Sequence, residues 1–265
     1  MLDIRGSVAV ITGGAQGIGR ALGEYWVAGG GKVVLADVSE ERLEEAKKSL
    51  ESLGGEAIAL TCNVLSEADC SWLAQKTIDI FGKINMVVPC AGITRDCPVL
   101  DTDKGAGKVI GKMSLENFQV VMNINLTGVF LTVRECVEQM INHDCRGLIC
   151  LISSTSSLGA AEQLNYSSSA AALSVAPRVL TAEFFRRGLA GRIRCVAIAP
   201  GYVDASLARG GMDGEHAGNA VDQVPIGRLI DPYEIASLVG ELYRNEALAG
   251  EVYYIHGGLR LGSRG

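Results

Sequence analysis

Seven short apolar runs are the feature of this sequence that most limits its fold. They cover residues 8–11, 33–36, 57–60, 86–88, 148–152, 195–199 and 252–255. Continuous apolar runs of this length are typical of strands that are buried on both faces of a parallel sheet. The segments between them have helical spacing, for example at Ile18, Ala21, Leu22, Tyr25 and Trp26. The alternation predicts one α/β domain over residues 1–265, with a doubly wound parallel sheet of about seven strands flanked by helices.

The overall composition excludes several classes of protein. With 48% hydrophobic residues and a net charge of -6 over 265 residues, the chain is not expected to be disordered. The excess of 30 acidic over 24 basic residues gives no positive surface for nucleic acid. No apolar stretch is expected to reach the roughly 18 residues of a membrane span, and the N-terminus lacks a signal-peptide pattern. Eight cysteines without CxxC spacing and only three histidines favour free thiols, no metal site and a cytoplasmic location.

A glycine-rich turn over residues 12–19, with the sequence TGGAQGIG, lies between the first apolar run and a helix. Glycines at 13, 17 and 19 permit a tight turn and let the backbone approach a pyrophosphate, which the helix N-terminus would bind. The second apolar run leads to Asp37, 18 residues after Gly19. A carboxylate there can accept hydrogen bonds from both ribose hydroxyls and would repel a 2′-phosphate, and it could also cap the next helix. These features predict a Rossmann-type site for NAD rather than NADP.

Further motifs follow in a characteristic order. Ala91-Gly92 comes after the fourth apolar run, and Asn125, a serine cluster and Tyr166 come after it. With the glycine turn and Asp37, they make the sequence resemble the short-chain dehydrogenase/reductase family over essentially its whole length. The resemblance implies an NAD-dependent alcohol dehydrogenase or ketoreductase, which interconverts a secondary alcohol and a ketone by hydride transfer. It also implies a small-molecule alcohol or ketone as substrate and a homotetramer as the assembly.

The resemblance assigns roles to single residues. Tyr166 matches the catalytic tyrosine, and Asn125 matches an asparagine that organises a proton-relay water, although it could instead satisfy a backbone group within a helix. The active-site serine is assigned to Ser153, 13 residues before Tyr166, with Ser154 as the alternative. The implied cofactor-binding residues are Gly13, Gln16, Gly17, Ile18, Gly19, Asp37, Asn63, Val64, Cys90, Ala91, Gly92, Tyr166, Pro200, Gly201 and Val203.

The family's active-site lysine, four residues after the tyrosine, is replaced here by Ala170. On a helix, position i+4 shares the face of the tyrosine, so an ammonium there lowers the pKa of the phenol. An unassisted tyrosine with a pKa of about 10 is only roughly a thousandth ionised at neutral pH. If the lysine brings that pKa to about 7, its loss costs about 4 kcal/mol of catalysis. The chain is therefore expected to be impaired, either as an engineered Lys-to-Ala variant, which is favoured, or as a natural inactive homologue.

A rival interpretation makes the chain a non-catalytic NAD-binding or scaffold subunit of a mixed oligomer. Ala170 motivates it, and so do Pro89 and Cys90, which stand where the family has two asparagines. An inserted loop at about 96–112 is expected to be a surface hairpin or a lip of the substrate pocket, and a flexible stretch at about 205–224 resembles a substrate lid. The substrate class stays open among cyclic alcohols, hydroxyacyl thioesters and simple secondary alcohols.

Overall fold

The computed structural model describes residues 1–103, 105, 107–204 and 221–259. Seven parallel strands form one sheet in the order β3-β2-β1-β4-β7-β8-β9, and β5 pairs with β6 in a separate antiparallel hairpin. The strands are β1 (Val8–Thr12), β2 (Lys32–Asp37), β3 (Glu56–Thr61), β4 (Met86–Pro89), β5 (Leu100–Thr102), β6 (Val109–Lys112), β7 (Gly147–Ile152), β8 (Ile193–Pro200) and β9 (Val252–Ile255). The seven predicted strands all lie in the large sheet, so the predicted doubly wound fold is confirmed.

Helices cover both faces of the sheet. They are α1 (Gly17–Ala28), α2 (Glu40–Ser52), α3 (Glu67–Phe81), α4 (Leu115–Met122), α5 (Val129–Asn142), α6 (Leu164–Arg186) and α7 (Pro232–Arg244). A π-helical turn, Asn123–Gly128, joins α4 to α5. Side chains of Ser66, Ser114 and Asp231 cap the N-termini of α3, α4 and α7, each by accepting a backbone N–H. These caps explain where the three helices begin, because they satisfy donors that a helix start leaves without partners.

Two apolar clusters lie on opposite faces of the sheet. Ala9 and Ile11 of β1 belong to the cluster under α1, α2 and α7, whereas Val10 belongs to the cluster under α3, α5 and α6. All three side chains are at most 1% exposed. Because successive side chains of a strand point to opposite faces, burial of both faces requires a continuous apolar run. This is the physical reason for the runs seen in the sequence.

The C-terminal end of α7 is held by a buried arginine. Arg194 of β8 is 7% exposed, and its guanidinium donates hydrogen bonds to four backbone carbonyls. The acceptors are the carbonyl oxygens of Leu242 at 3.0 Å, Tyr243 at 2.8 Å, Asn245 at 3.1 Å and Leu248 at 2.6 Å. The arginine thereby satisfies carbonyls that a helix end leaves without internal donors.

The strand order reverses between β1 and β4, which are neighbours in the sheet although they are distant in the chain. Thr12 at the end of β1 lies beside Pro89 at the end of β4. In open α/β sheets, such a reversal opens a crevice at the carboxyl ends of the strands, where ligands bind. The glycine turn after β1 and the loop after β4 therefore form the two sides of one crevice.

The structure bears on three further expectations, which concern the insert at about 96–112, the lid at about 205–224 and the absence of a membrane-spanning stretch. The insert at about 96–112 contains the hairpin β5–β6, as one of its two interpretations predicted. Of the lid at about 205–224, residues 205–220 lie outside the described part of the chain. The expectation that no stretch could span a membrane was wrong by length and composition, because the continuous helical segment Leu115–Asn142 is apolar enough. Half of its most apolar window is buried inside the protein, which is typical of a core helix.

Candidate cofactor cleft and active site

A cleft of about 700 Å³ occupies the crevice at the carboxyl ends of β1, β2, β3 and β4. It brings together most of the residues that the sequence assigned to the cofactor. Those that line it are Gly13, Gln16, Gly17, Ile18, Asp37, Asn63, Val64, Cys90, Ala91, Gly92 and Val203. Gly19, Pro200 and Gly201 do not line it, and Tyr166 lines a second cavity beside it. The cleft volume falls within the usual range of small-molecule sites.

Close backbone approaches explain the glycines of the turn. Gly13 has a φ of +64°, and a Cβ on it would lie 2.7 Å from the nitrogen of Ala91. A Cβ on Gly19 would lie 2.4 Å from the carbonyl oxygen of Gly13. Gln16 is the N-cap of α1, but its side chain makes no capping hydrogen bond, and the first turn of α1 contains no acidic residue. The N-terminal N–H groups of α1 therefore keep their capacity to bind an anion, which fits the pyrophosphate of a dinucleotide.

Asp37 ends β2 at the rim of this cleft. Its Oδ1 accepts hydrogen bonds from the backbone N–H groups of Val38 at 2.8 Å and Ser39 at 3.3 Å. Its Oδ2 accepts one from the N–H of Ala15 at 3.4 Å. The N-cap of α2 is Ser39, so Asp37 is not the cap that the alternative interpretation suggested. A carboxylate oriented by three backbone donors still has lone pairs for ribose hydroxyls.

Sequence reasoning missed Arg42. This residue lies in the first turn of α2 and lines the cleft, and its Nη1 donates to Oε1 of Gln16 at 2.9 Å. The N-terminal turns of α1 and α2 are thereby linked across the crevice. No local motif marks Arg42, because its position depends on how α2 packs beside α1.

Two further residues contact the cleft through their polar groups. The Oδ1 of Asn63 accepts a hydrogen bond from the N–H of Leu65 at 3.0 Å, which leaves one lone pair of that oxygen. Val203 forms a parallel bridge with Ile230, in which Tyr202 supplies the carbonyl and Asp204 the N–H. In such a bridge the N–H and carbonyl of Val203 itself point away from Ile230. The resemblance assigns cofactor binding to Val203, and that role stays a prediction.

The second cavity, of about 310 Å³, joins the cleft through Ile18 and residues 90–94, which line both. Its wall contains Asn125, Ser153, Tyr166 and Ala170. The structure thus brings together all four residues that the sequence assigned to catalysis. Tyr166 and Ala170 lie one turn apart at the start of α6, and both face this cavity.

Asn125 connects the loop after β4 to the π-helical turn. Its Oδ1 accepts from the N–H of Ile93 at 2.9 Å, and its Nδ2 donates to the carbonyl of Ile93 at 2.9 Å and to Oγ of Ser169 at 3.4 Å. The side chain is 6% exposed. The amide therefore satisfies backbone groups, as the alternative interpretation expected. Its role in organising a water stays a prediction.

The phenol of Tyr166 is in an environment that opposes its ionisation. Burial raises the pKa of Tyr166, a hydrogen bond with Ser154 lowers it, and the charge of Asp96, together with that of Cys90 where its thiol is ionised, raises it further. None of these four influences comes from a cation, in agreement with the alanine at position 170. At neutral pH the phenol is therefore protonated.

The two candidate serines have different partners. Ser153 donates its hydroxyl to the carbonyl of Ala170 at 2.9 Å and lies 2.9 Å from Oγ of Ser174. Ser154 hydrogen-bonds with Tyr166 and also accepts from the N–H of Ser156 at 3.1 Å. The assignment of Ser153 stays a prediction, but these contacts favour Ser154, which the residue count had ranked second.

Pro89 and Cys90, which stand where the family has two asparagines, fit at the end of β4 without loss of strand pairing. The N–H of Cys90 donates to the carbonyl of Thr12 at 3.2 Å, so pairing with β1 continues after the proline. Burial raises the pKa of the Cys90 thiol to about 12. The thiol is therefore neutral at physiological pH and is a poor nucleophile.

Comparisons with known proteins agree with this fold and site. Residues 7–215 match the short chain dehydrogenase family. The chain is 30% identical to the 3-oxoacyl-[acyl-carrier-protein] reductase FabG of Salmonella typhimurium over 260 residues, 97% of this chain and 99% of that protein. It is 30% identical to the reductase of the same name from Thermotoga maritima, again over 97% and 99% of the two chains.

Among solved structures, a short-chain type dehydrogenase/reductase from Mycobacterium marinum has the same fold. Its TM-score is 0.84 at 24% sequence identity, over 98% of this chain and 97% of that one. The family match covers most of the described residues, including the glycine turn, Asp37, Asn125 and Tyr166. This chain belongs to the short-chain dehydrogenase family of oxidoreductases.

Proposed function

We propose that this chain binds NAD in the 700 Å³ cleft and interconverts a secondary alcohol and a ketone slowly, by hydride transfer. One observation carries the proposal. The cavity lined by Tyr166 and Asn125 lies beside the cleft formed by the glycine turn, and Ile18 and residues 90–94 line both. A substrate oxygen beside Tyr166 would therefore lie next to the bound cofactor.

NAD, when bound, supplies the nicotinamide that accepts a hydride from the carbinol carbon. The phenolate of Tyr166 takes the hydroxyl proton of the alcohol, and in the reverse direction the phenol returns a proton to the ketone oxygen. Ser153, which lines the cavity, or alternatively Ser154, which interacts with the phenol, would donate to the same substrate oxygen. Asn125 holds the loop at Ile93 against α6 and so maintains the shape of the cavity.

The preference for NAD over NADP rests on Asp37. Its carboxylate lies at the rim of the cleft and is oriented by backbone donors, so ribose hydroxyls could donate to it. A 2′-phosphate at the same place would meet a like charge, which is unfavourable. Arg42 lines the same rim and offsets part of this repulsion.

The alanine in place of a cationic residue at position 170 supports the expected loss of catalytic activity. Burial and nearby negative charge raise the pKa of Tyr166, and Ala170 supplies nothing to lower it. The same observation favours the second candidate function, a non-catalytic NAD-binding or scaffold subunit of a mixed oligomer. That position 170 carries an engineered Lys-to-Ala change stays a prediction, as does the natural alternative.

Assembly, location and substrate are part of the proposal. Phe130 of α5 and Val175 and Val179 of α6 are at least 50% exposed, which supports packing of these helices in a homotetramer. All eight cysteines are free, which supports a cytoplasmic location. The relatives named as reductases of 3-oxoacyl groups favour the hydroxyacyl thioester among the substrate classes.

The test combines binding with restored turnover. NAD and NADP are titrated calorimetrically into the full chain, and an Ala170→Lys variant is assayed for NAD reduction with a panel of secondary alcohols and a hydroxyacyl thioester. We expect NAD to bind at least about tenfold more tightly than NADP, and the lysine variant to gain activity. Absence of NAD binding would refute the proposal. Intact NAD binding with an inactive lysine variant would favour the scaffold function.

A further inference from the structure

The 310 Å³ cavity beside Tyr166 is lined by hydrogen-bond acceptors and by no positive charge. Among the described residues, none that lines it is a lysine, arginine or histidine. The charge that acts on the phenol from outside is the carboxylate of Asp96, which accepts from the side chain of Gln163 at 2.7 Å. Among the described lining residues, no positive charge therefore opposes a bound cation, and the carboxylate of Asp96 attracts one.

The hydroxyl protons along the wall are already donated to the backbone. Ser169 donates to the carbonyl of Tyr166 at 2.8 Å, and Ser153 donates to the carbonyl of Ala170 at 2.9 Å. The Oγ of Ser169 also accepts from Nδ2 of Asn125 at 3.4 Å, and the Oγ of Ser153 lies 2.9 Å from Oγ of Ser174. Each oxygen therefore has one lone pair left for a donor on a ligand. A ligand group with several N–H donors and a positive charge matches this wall.

The rest of the wall is apolar. Ile18, Val129, Ile152 and Leu173 line the cavity, and Ala170 contributes only a methyl group. A volume of about 310 Å³ lies at the lower end of the range for small-molecule sites. The cavity is therefore suited to a short alkyl chain that ends in a polar head.

We propose that this cavity binds a primary alkylammonium group beside the phenol of Tyr166. The ammonium donates hydrogen bonds to the hydroxyl oxygens of Ser153 and Ser169, and its alkyl part contacts the apolar wall. The group comes either from a free amine or from a substrate that is itself an amino alcohol. The catalytic consequence rests on the proposed function, whereas the binding does not.

Bound next to Tyr166, the ammonium stabilises the phenolate and keeps its own protons. The alcohol then loses its hydroxyl proton to the phenolate and a hydride to NAD, which yields the ketone, NADH and one proton released to solvent. The reaction balances without any further oxidant or reductant. A cation supplied by the ligand thus lowers the pKa of the Tyr166 phenol, which the methyl group of Ala170 cannot do.

The first experiment measures binding alone. Ethylammonium chloride is titrated calorimetrically at pH 8 into the full chain, with sodium chloride as the ionic-strength control and tetramethylammonium as a cation without N–H donors. We expect ethylammonium to bind the wild-type chain. It should bind an Ala170→Leu variant at least about tenfold more weakly, because the larger side chain fills the cavity. An Ala170→Val variant serves if the leucine variant does not fold. Absence of binding, or equal binding of tetramethylammonium, overturns the proposal.

The second experiment measures turnover, using the alcohol that the Ala170→Lys variant oxidises best. We expect ethylamine to raise kcat/KM of the wild-type chain at least about tenfold, because one unit of pKa lowering raises the phenolate fraction about tenfold at neutral pH. The lysine variant should not respond. An amino alcohol oxidised without added amine identifies the substrate as the source of the ammonium. If the lysine variant is active but neither the amine nor an amino alcohol activates the wild-type chain, the proposal is overturned. The proposed function then stands.

Discussion

The pH dependence of an Ala170→Lys variant tests the central physical claim, that the reactivity of Tyr166 is limited by the absence of a cation. In the structure, burial and the charge of Asp96, together with that of Cys90 where its thiol is ionised, raise the pKa of Tyr166, and only the hydrogen bond with Ser154 lowers it. A lysine four residues later on α6 faces the same cavity as the phenol.

The magnitude follows from Coulomb's law. An ammonium about 4 Å from the phenolate, at an effective dielectric constant of about 20, stabilises it by about 4 kcal/mol. At about 1.4 kcal/mol per unit, this lowers the raised pKa of Tyr166 by roughly three units. The phenolate fraction at pH 7 then rises by several hundredfold, and kcat/KM for alcohol oxidation should rise in proportion.

The assay is the pH profile of kcat/KM for alcohol oxidation between pH 6 and pH 10.5. Since the base form of Tyr166 is required, the wild-type rate should climb about tenfold per pH unit across this range, whereas the lysine variant should reach a plateau roughly three pH units earlier. The difference between the two rates should therefore narrow toward the alkaline end of the range. An Ala170→Met variant, with a long uncharged side chain, should keep the wild-type profile. Parallel profiles for the wild-type chain and the lysine variant would refute the reasoning.

Three further substitutions test other parts of the structure. Arg194→Met removes the guanidinium donor from four carbonyls, of which that of Asn245 also accepts from the N–H of Leu248 at 3.1 Å. It should lower the free energy of unfolding in urea by at least about 3 kcal/mol, with less than about 1 kcal/mol contradicting the capping role. Gly19→Ala places a Cβ 2.4 Å from the carbonyl oxygen of Gly13 and should weaken NAD binding at least about tenfold by calorimetry, whereas Gly191→Ala, in open space, should not. Asp37→Ala removes charged hydrogen bonds and should weaken NAD binding about 10- to 100-fold, while NADP binding is kept or improved. Unchanged selectivity between NAD and NADP would contradict the role of Asp37 in cofactor choice.

The cofactor cleft was predictable from sequence because its determinants are local. A strand, a glycine turn and a helix are contiguous in the chain, and Asp37 follows at the end of the next strand. The local backbone itself favours these glycines, because Gly13 and Gly17 have positive φ and a Cβ on Gly19 would lie 2.4 Å from the carbonyl oxygen of Gly13. Arg42 was missed because its place at the rim depends on the packing of two helices rather than on any motif.

The active site was predictable only in part. The residue count chose Ser153, but counting cannot tell which of two adjacent hydroxyls turns toward Tyr166. Ser153 hydrogen-bonds with the carbonyl of Ala170 and lines the cavity, whereas Ser154 interacts with the phenol, so the assignment of the active-site serine stays a prediction. The apolar length of Leu115–Asn142 was likewise underestimated, since its composition reflects packing of the helix against the sheet.

The sequence by itself determined the seven-stranded sheet, the glycine turn and the alanine that replaces a cation beside Tyr166. Strand burial and helix periodicity are read from neighbours in the chain, so these features needed no coordinates. The tertiary structure alone decided that Asn125, Ser153 and Ala170 enclose a single cavity with Tyr166. It also decided that the hydroxyl protons there point to backbone carbonyls. Such directions depend on how β7, the π-helical turn and α6 pack together, which no local pattern specifies.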